Sequence, residues 1–276
     1  MTIPARIRYT LYVQPIDLPV FNPVALEVLG LLEDPYTDIL DVVRLIGEDQ
    51  ALTAQVLRMA NSASYAGRSR CETIKNAAIR LGARQMSNIA MAASHASLHA
   101  SDSPLVNDIM QDLWLHSHAC ALGCRSVALS TGQHAVADKA YLAGLLHDIG
   151  KLYILKAMDH ISQTMDVKHA LERSLLQEIF SEMHVDLGCR VMDHWNLPSV
   201  YRDVAAYHHA EQCDSRNILL TIVRMVNFNS RNFHLNIYPT LGETGGDHAE
   251  TSPLFMDDVS WTKMEDAMTA SLIHFT

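Results

Sequence analysis

Apolar residues recur at intervals of three and four along most of the chain, the spacing of one face of an α-helix. Asn22-Pro23 reads as an N-cap followed by proline at the first helical position, opening VALEVLGLL. Asp38 is placed to cap ILDVVRLIG and Asp49 to cap QALTAQVLRMANS. Further helices are predicted near 75–80, 83–99, 104–131, 136–148, 151–159, 168–183, 185–195, 199–209 and 216–230, with a last amphipathic helix near 256–274. No segment alternates for long between Asn-Gly or Asp-Gly turns, so little or no sheet is expected and the pattern predicts an all-α fold. The stretch 101-SDSP-104 divides an N-terminal helical lobe (18–100) from a histidine-rich second lobe (104–214). Residues 1–17 form an N-terminal extension, and 215–276 supply helices that complete the second lobe, with an acidic surface loop at 239–253.

Composition narrows the classes of function. The 276 residues are 49% hydrophobic and 19% charged, enough apolar surface for a sizeable core and too much for a disordered chain. No run of about 18 uncharged apolar residues occurs, which argues against a membrane span. The first twenty residues lack the apolar block of a secretory signal, so the cytoplasm is the expected compartment. The net charge of −10 is uneven: residues 101–214 carry 15 acidic and 8 basic side chains, whereas residues 1–100 carry 9 of each. Without a basic stripe to displace phosphate counterions, direct nucleic-acid binding is not expected. Five scattered cysteines without CxxC spacing argue against a disulfide framework or a zinc knuckle. Cys120 and Cys124, one helical turn apart, fit core packing better than redox chemistry.

Histidine stands out, with 15 copies, ten of them in the acidic segment 101–214. In 145-LLHDIGK-151 an apolar helix is expected to end in His147-Asp148 and to be stopped by Gly150. An imidazole nitrogen and a carboxylate oxygen side by side can both turn toward one divalent ion. Lys151 would meet a phosphate as a compact cation. His116 projects from a buried stripe beside Leu113, Ala119 and Cys120, where a polar ring must find a partner. His118 lies well around the same helix and is expected to face outward or touch another helix. His184 opens HVDLG, and His208-His209 end SVYRDVAAYHH, whereas His194 reads as structural.

Together, His116-Ser117 and the HDIGK run resemble the HD superfamily of metal-dependent phosphohydrolases, and His184 with His208-His209 is similar to the extra histidines of its HD-GYP branch. The first lobe resembles the HDOD domain in its Asn61-Ser62, Tyr65-Ala66-Gly67 and Ala-Ile-x-Leu-Gly motifs, and the resemblance runs over roughly residues 18–212. It implies a two-lobed helical fold with an HD-type second lobe. The implied metal ligands are His116, His147, Asp148, His184, His208, His209 and Asn227, around a divalent Fe, Mn, Mg or Zn, with Asp148 and Lys151 in the catalytic roles. Asn227 stands where HD enzymes place a later aspartate, which removes one anionic ligand, and no Gly-Tyr-Pro follows His209. HDOD proteins are regarded as bacterial signalling modules, so the resemblance implies a regulatory protein that binds a partner protein or a small phosphorylated ligand, with a homodimer as one arrangement. The alternative is a metal-dependent phosphohydrolase acting on a nucleotide or other phosphoester.

Overall fold

A computed structural model describes residues 3–13, 21–31, 38–65, 67, 69–164, 172–210, 214, 216–233, 254 and 256–270. Among them there is no strand. The helices are α1 (Ala5–Val13), α2 (Pro23–Leu31), α3 (Ile39–Glu48), α4 (Gln50–Ala60), α5 (Ile74–Leu98), α6 (Pro104–Ser130), α7 (Ala137–Leu146), α8 (Ile149–Thr164), α9 (Arg173–His194), α10 (Ser199–Tyr207), α11 (Ile218–Asn229) and α12 (Asp258–Thr269). The acidic loop at 239–253, Cys213 and the end of the last predicted helix lie outside the described residues.

The expected caps form. Asn22 Oδ1 accepts from Val24 N, Asp38 Oδ1 from Leu40 N and Asp49 Oδ1 from Leu52 N, at 2.9, 3.1 and 2.8 Å. Each satisfies a backbone donor that the first turn of a helix leaves unpaired. Asp49 Oδ2 also accepts from Asn22 Nδ2 at 2.6 Å, so one carboxylate caps α4 and ties it to the start of α2. The two helices predicted at 75–80 and 83–99 join as α5, bent at Gly82, whose φ of 80° is open to glycine at little cost.

Helices α2, α3 and α4 pack on α5, whereas α6 packs on α7, α11 and α12, and α8 on α9. The turn after α4 is held by one side chain. Asn61 Nδ2 donates to the carbonyls of Leu57 and Cys71, and Asn61 Oδ1 accepts from Cys71 N. Tyr65 at the end of that turn shares a buried hydrogen bond with Tyr141 of α7, O to O 2.9 Å, which ties the first helices to the second group. The SDSP stretch is anchored too, since Ser101 Oγ donates to Asp159 of α8 at 2.5 Å.

Two expectations about local structure change. Residues 168–183 and 185–195 were expected as separate helices, but α9 runs unbroken through His184, because Phe180, Met183, His184, Leu187 and Val191 form one continuous buried stripe. Gly150 does not stop a helix either. The first helix ends at Leu146, His147-Asp148 make the turn, and Gly150 lies in the first turn of α8. A Cβ there would fall 1.9 Å from the His184 carbonyl oxygen, so glycine is what lets α8 and α9 touch backbone to backbone.

Between α2, α5 and α6 sits an aromatic knot of Phe21, His95, His99, Trp114 and, against Phe21, Trp195. Neither ring nitrogen of His95 has a hydrogen-bond partner among the described residues. Burial lowers the His99 pKa to about 4, with Lys156 adding to the effect and the His95 carbonyl opposing it. Burial and the neighbouring His99, His118 and His147 rings hold His95 well below its ordinary value. In the unfolded chain both rings take up protons near pH 6.5, whereas in the folded chain His99 resists until about pH 4 and His95 is held well below its ordinary value. The unfolded state therefore binds more protons across that window, and stability falls as pH drops through it. Urea unfolding should show a loss of about 2 kcal/mol per buried ring between pH 7.5 and 5, at ~1.4 kcal/mol per pH unit below the unfolded pKa. A His99→Gln variant should give a shallower slope.

Candidate metal centre

Four helix ends and faces converge at the His147-Asp148 turn. Helix α6 contributes His116 and Cys120, the α7–α8 turn His147 and Asp148, α8 Lys151, α9 His184, and the end of α10 His208 and His209. His116, His147, Asp148, His184 and His208 are each at most 4% exposed.

The hydrogen bonds fix the tautomers. His147 Nδ1 lies 2.8 Å from the Gly144 carbonyl, His208 Nδ1 2.8 Å from the Ala205 carbonyl and His184 Nδ1 2.5 Å from the Phe180 carbonyl. A carbonyl only accepts, so each Nδ1 carries a proton, and in neutral His147 and His184 Nε2 presents a lone pair. The Nε2 atoms gather about Asp148: those of His116 and His147 lie 3.3 and 3.4 Å from its Oδ2, and those of His184 and His208 lie 3.7 and 3.5 Å from its Oδ1. They also face one another in pairs, at 3.4 Å between His116 and His147 and 3.4 Å between His184 and His208.

Charge follows the same logic. Burial lowers the pKa of His147 to about 3, against the pull of Asp148, and burial likewise lowers His184 to about 3, with Lys151 adding to it. Burial also pushes His209 down, reinforced by His208 and His184. Burial alone would raise the Asp148 pKa, but the Lys151 ammonium beside it holds it well below the usual carboxylate range. Lys151 Nζ donates to Asp148 Oδ2 at 2.8 Å, whereas Asp148 Oδ1 is buried and accepts no hydrogen bond among the described residues. Neutral His147 and His184 beside an orphaned carboxylate oxygen form a set of acceptors with too few donors.

Such a set fits a cation. Two groups have ligand atoms all within 4.8 Å of one another: Asp148, His184, His208 and His209 on one side, and His116, Cys120 and His147 on the other. Asp148 lies between them, one oxygen toward each. Imidazole and carboxylate suit Fe, Mn or Zn, and the Nδ1–carbonyl bonds are the outer contacts that orient ligating histidines. Six of the seven expected ligands are thus brought together, and Lys151 joins them. Asn227 is buried on α11 and takes part in none of these contacts. Cys120, expected to be packing, lies 3.8 Å from His116 Nε2 with its thiol pKa pushed well up by burial. Its position four residues after His116 is the sequence signal that placed it there. His118 is buried with its ring stacked on Trp114, the inward of its two expected placements, because α6 is covered on that side as well.

Comparisons with known proteins agree with this architecture. An HDOD domain protein of unknown function from Geobacter sulfurreducens superposes with a TM-score of 0.67 at 23% identity, covering 99% of this chain and 93% of that one. A candidate metal-dependent phosphohydrolase from Shewanella amazonensis gives 0.66 at 20% identity, over 97% of each chain. A candidate signal transduction protein from Marinobacter aquaeolei gives 0.66 at 19% identity, over 98% of this chain and 66% of that one. An uncharacterized protein of Treponema pallidum is 26% identical over 197 residues, 70% of this chain; the match spans only 38% of that relative's length. The family model of the HDOD domain matches residues 18–211, so the chain belongs to the HDOD family.

Proposed function

We propose that the chain is a bacterial, cytoplasmic signalling module whose buried His-Asp cluster holds a divalent metal and whose output is binding of a partner protein or small phosphorylated ligand. The observation that carries the metal is the convergence of four Nε2 atoms on the two oxygens of Asp148. His116, His147 and Asp148 would hold an ion on one side, and His184, His208 and His209 with the second oxygen of Asp148 on the other. A metal bound there supplies Lewis acidity and lowers the pKa of a coordinated water. Burial favours binding over turnover, since the five central side chains are at most 4% exposed. Asn227, where HD enzymes carry an aspartate, supports the same reading. Among the described residues no helix is long and apolar enough to cross a membrane.

Hydrolysis is the second reading, favoured by Lys151 beside Asp148, where an ammonium could meet a phosphoryl oxygen. Elemental analysis after loading with Mn, Fe or Zn should find stoichiometric metal in the native chain and at least a tenfold lower content in His147→Ala. Absence of bound metal in both would overturn the metal site. Metal-dependent turnover of nucleotides that disappears in His147→Ala would replace signalling by hydrolysis.

A further inference from the structure

A cavity of about 730 Å³ opens between α4, the turn that follows it, α5 and α6, and it shares no residue with the His-Asp cluster. Its volume lies in the range of small-molecule sites, roughly 300–1,000 Å³. Its lining is chemically divided. Trp114 and His118 are buried, their rings stacked with centroids 5.0 Å apart and planes 15° apart. Ala93 and Met59 add apolar wall beside them. Arg58 and Arg70 line the same cavity but stay exposed, and among the described residues neither guanidinium has an ion-pair partner. Two unpaired arginines at one opening are conspicuous in a chain of net charge −10. The Ser62 hydroxyl, also on the wall, has no hydrogen-bond partner among the described residues.

Guanidinium groups recognise phosphate through paired N–H donors, and an aromatic floor gives a planar ring a stacking surface. An occupant with both features satisfies both halves of the lining, whereas a purely apolar one would leave the arginines and Ser62 unanswered. We propose that this cavity is a binding site for a nucleoside monophosphate, its phosphate held by Arg58 and Arg70 and its base seated toward Trp114 and His118. The site is separate from the metal cluster and does not depend on metal being present there.

Calorimetric titration of the full chain in EDTA with each of the four common nucleoside monophosphates tests this, using the parent nucleosides and inorganic phosphate as half-ligands. At least one nucleotide is expected to bind below about 1 mM and at least tenfold tighter than either of its halves, with quenching of tryptophan fluorescence. The exposed double substitution Arg58→Ala/Arg70→Ala should weaken it at least tenfold with an unchanged circular dichroism spectrum, and His147→Ala should leave it unchanged. No binding by any of the four, or binding indifferent to the arginines, overturns the proposal. So does binding lost in His147→Ala, which would put the nucleotide at the cluster.

Discussion

Gly150→Ala should be among the most damaging single methyl additions to this protein. The new Cβ would meet the His184 carbonyl oxygen at 1.9 Å and the Gly188 nitrogen at 2.7 Å, and both obstacles are backbone, which no rotamer change can clear. Overpacking costs about 1–3 kcal/mol where side chains can yield, and a clash with a helix backbone belongs at or beyond the top of that range. Separation of α8 from α9 would also draw His184 away from Asp148, so thermal unfolding and metal content should fall together. Gly30→Ala is the matched control. It lies inside α2 with nothing within 4 Å of the added methyl, and alanine there should stabilise by about 0.5–1 kcal/mol. Equal melting temperatures for the two variants would show that the α8–α9 contact is looser than described.

Asp148→Asn should rival it. The change removes the carboxylate that faces four imidazoles and leaves Lys151, 6% exposed, without its partner at 2.8 Å. Breaking a buried ion pair on one side costs about 3–5 kcal/mol, since the remaining charge stays desolvated. Pairing the change with Lys151→Met removes both charges, and much of that loss should return. Urea unfolding of the wild type, both single variants and the double variant at pH 7 therefore should be strongly non-additive. Additive losses would mean that Lys151 is solvated and that the ion pair contributes little. Metal content should stay low in both variants carrying Asp148→Asn, which separates the ligand role of the carboxylate from its role in stability.

Much of this could be read from residue order, and the reasons for the remainder are specific. Caps at Asn22, Asp38 and Asp49 are local, involving residues two or three apart, so their chemistry was plain in the sequence. His116, His147, Asp148, His184 and His208 were legible by type and by motif, because a buried imidazole needs a partner and the family pattern named the candidates. Gly150 misled, because a glycine that ends a helix and one that admits a neighbouring helix look alike until α9 is in place. The break expected near residue 184 failed for a related reason, since a histidine in an apolar stripe reads as an interruption when its acceptor, the Phe180 carbonyl, is unknown. The cavity was hidden altogether. Arg58 and Arg70 lie in α4 and the turn after it and Trp114 in the later α6, and no spacing rule connects them.

The contact between Lys151 and Asp148 also settles an account of charge. Neutral His147 and His184 add no charge to the cluster, and Asp148 and Lys151 cancel each other. A divalent ion entering that buried space would bring two positive charges that need balancing. Loss of the Cys120 thiol proton would supply one negative charge, and hydroxide or an anionic ligand the rest. An acidic protein would thus carry, at its centre, a place that favours anions once it is loaded.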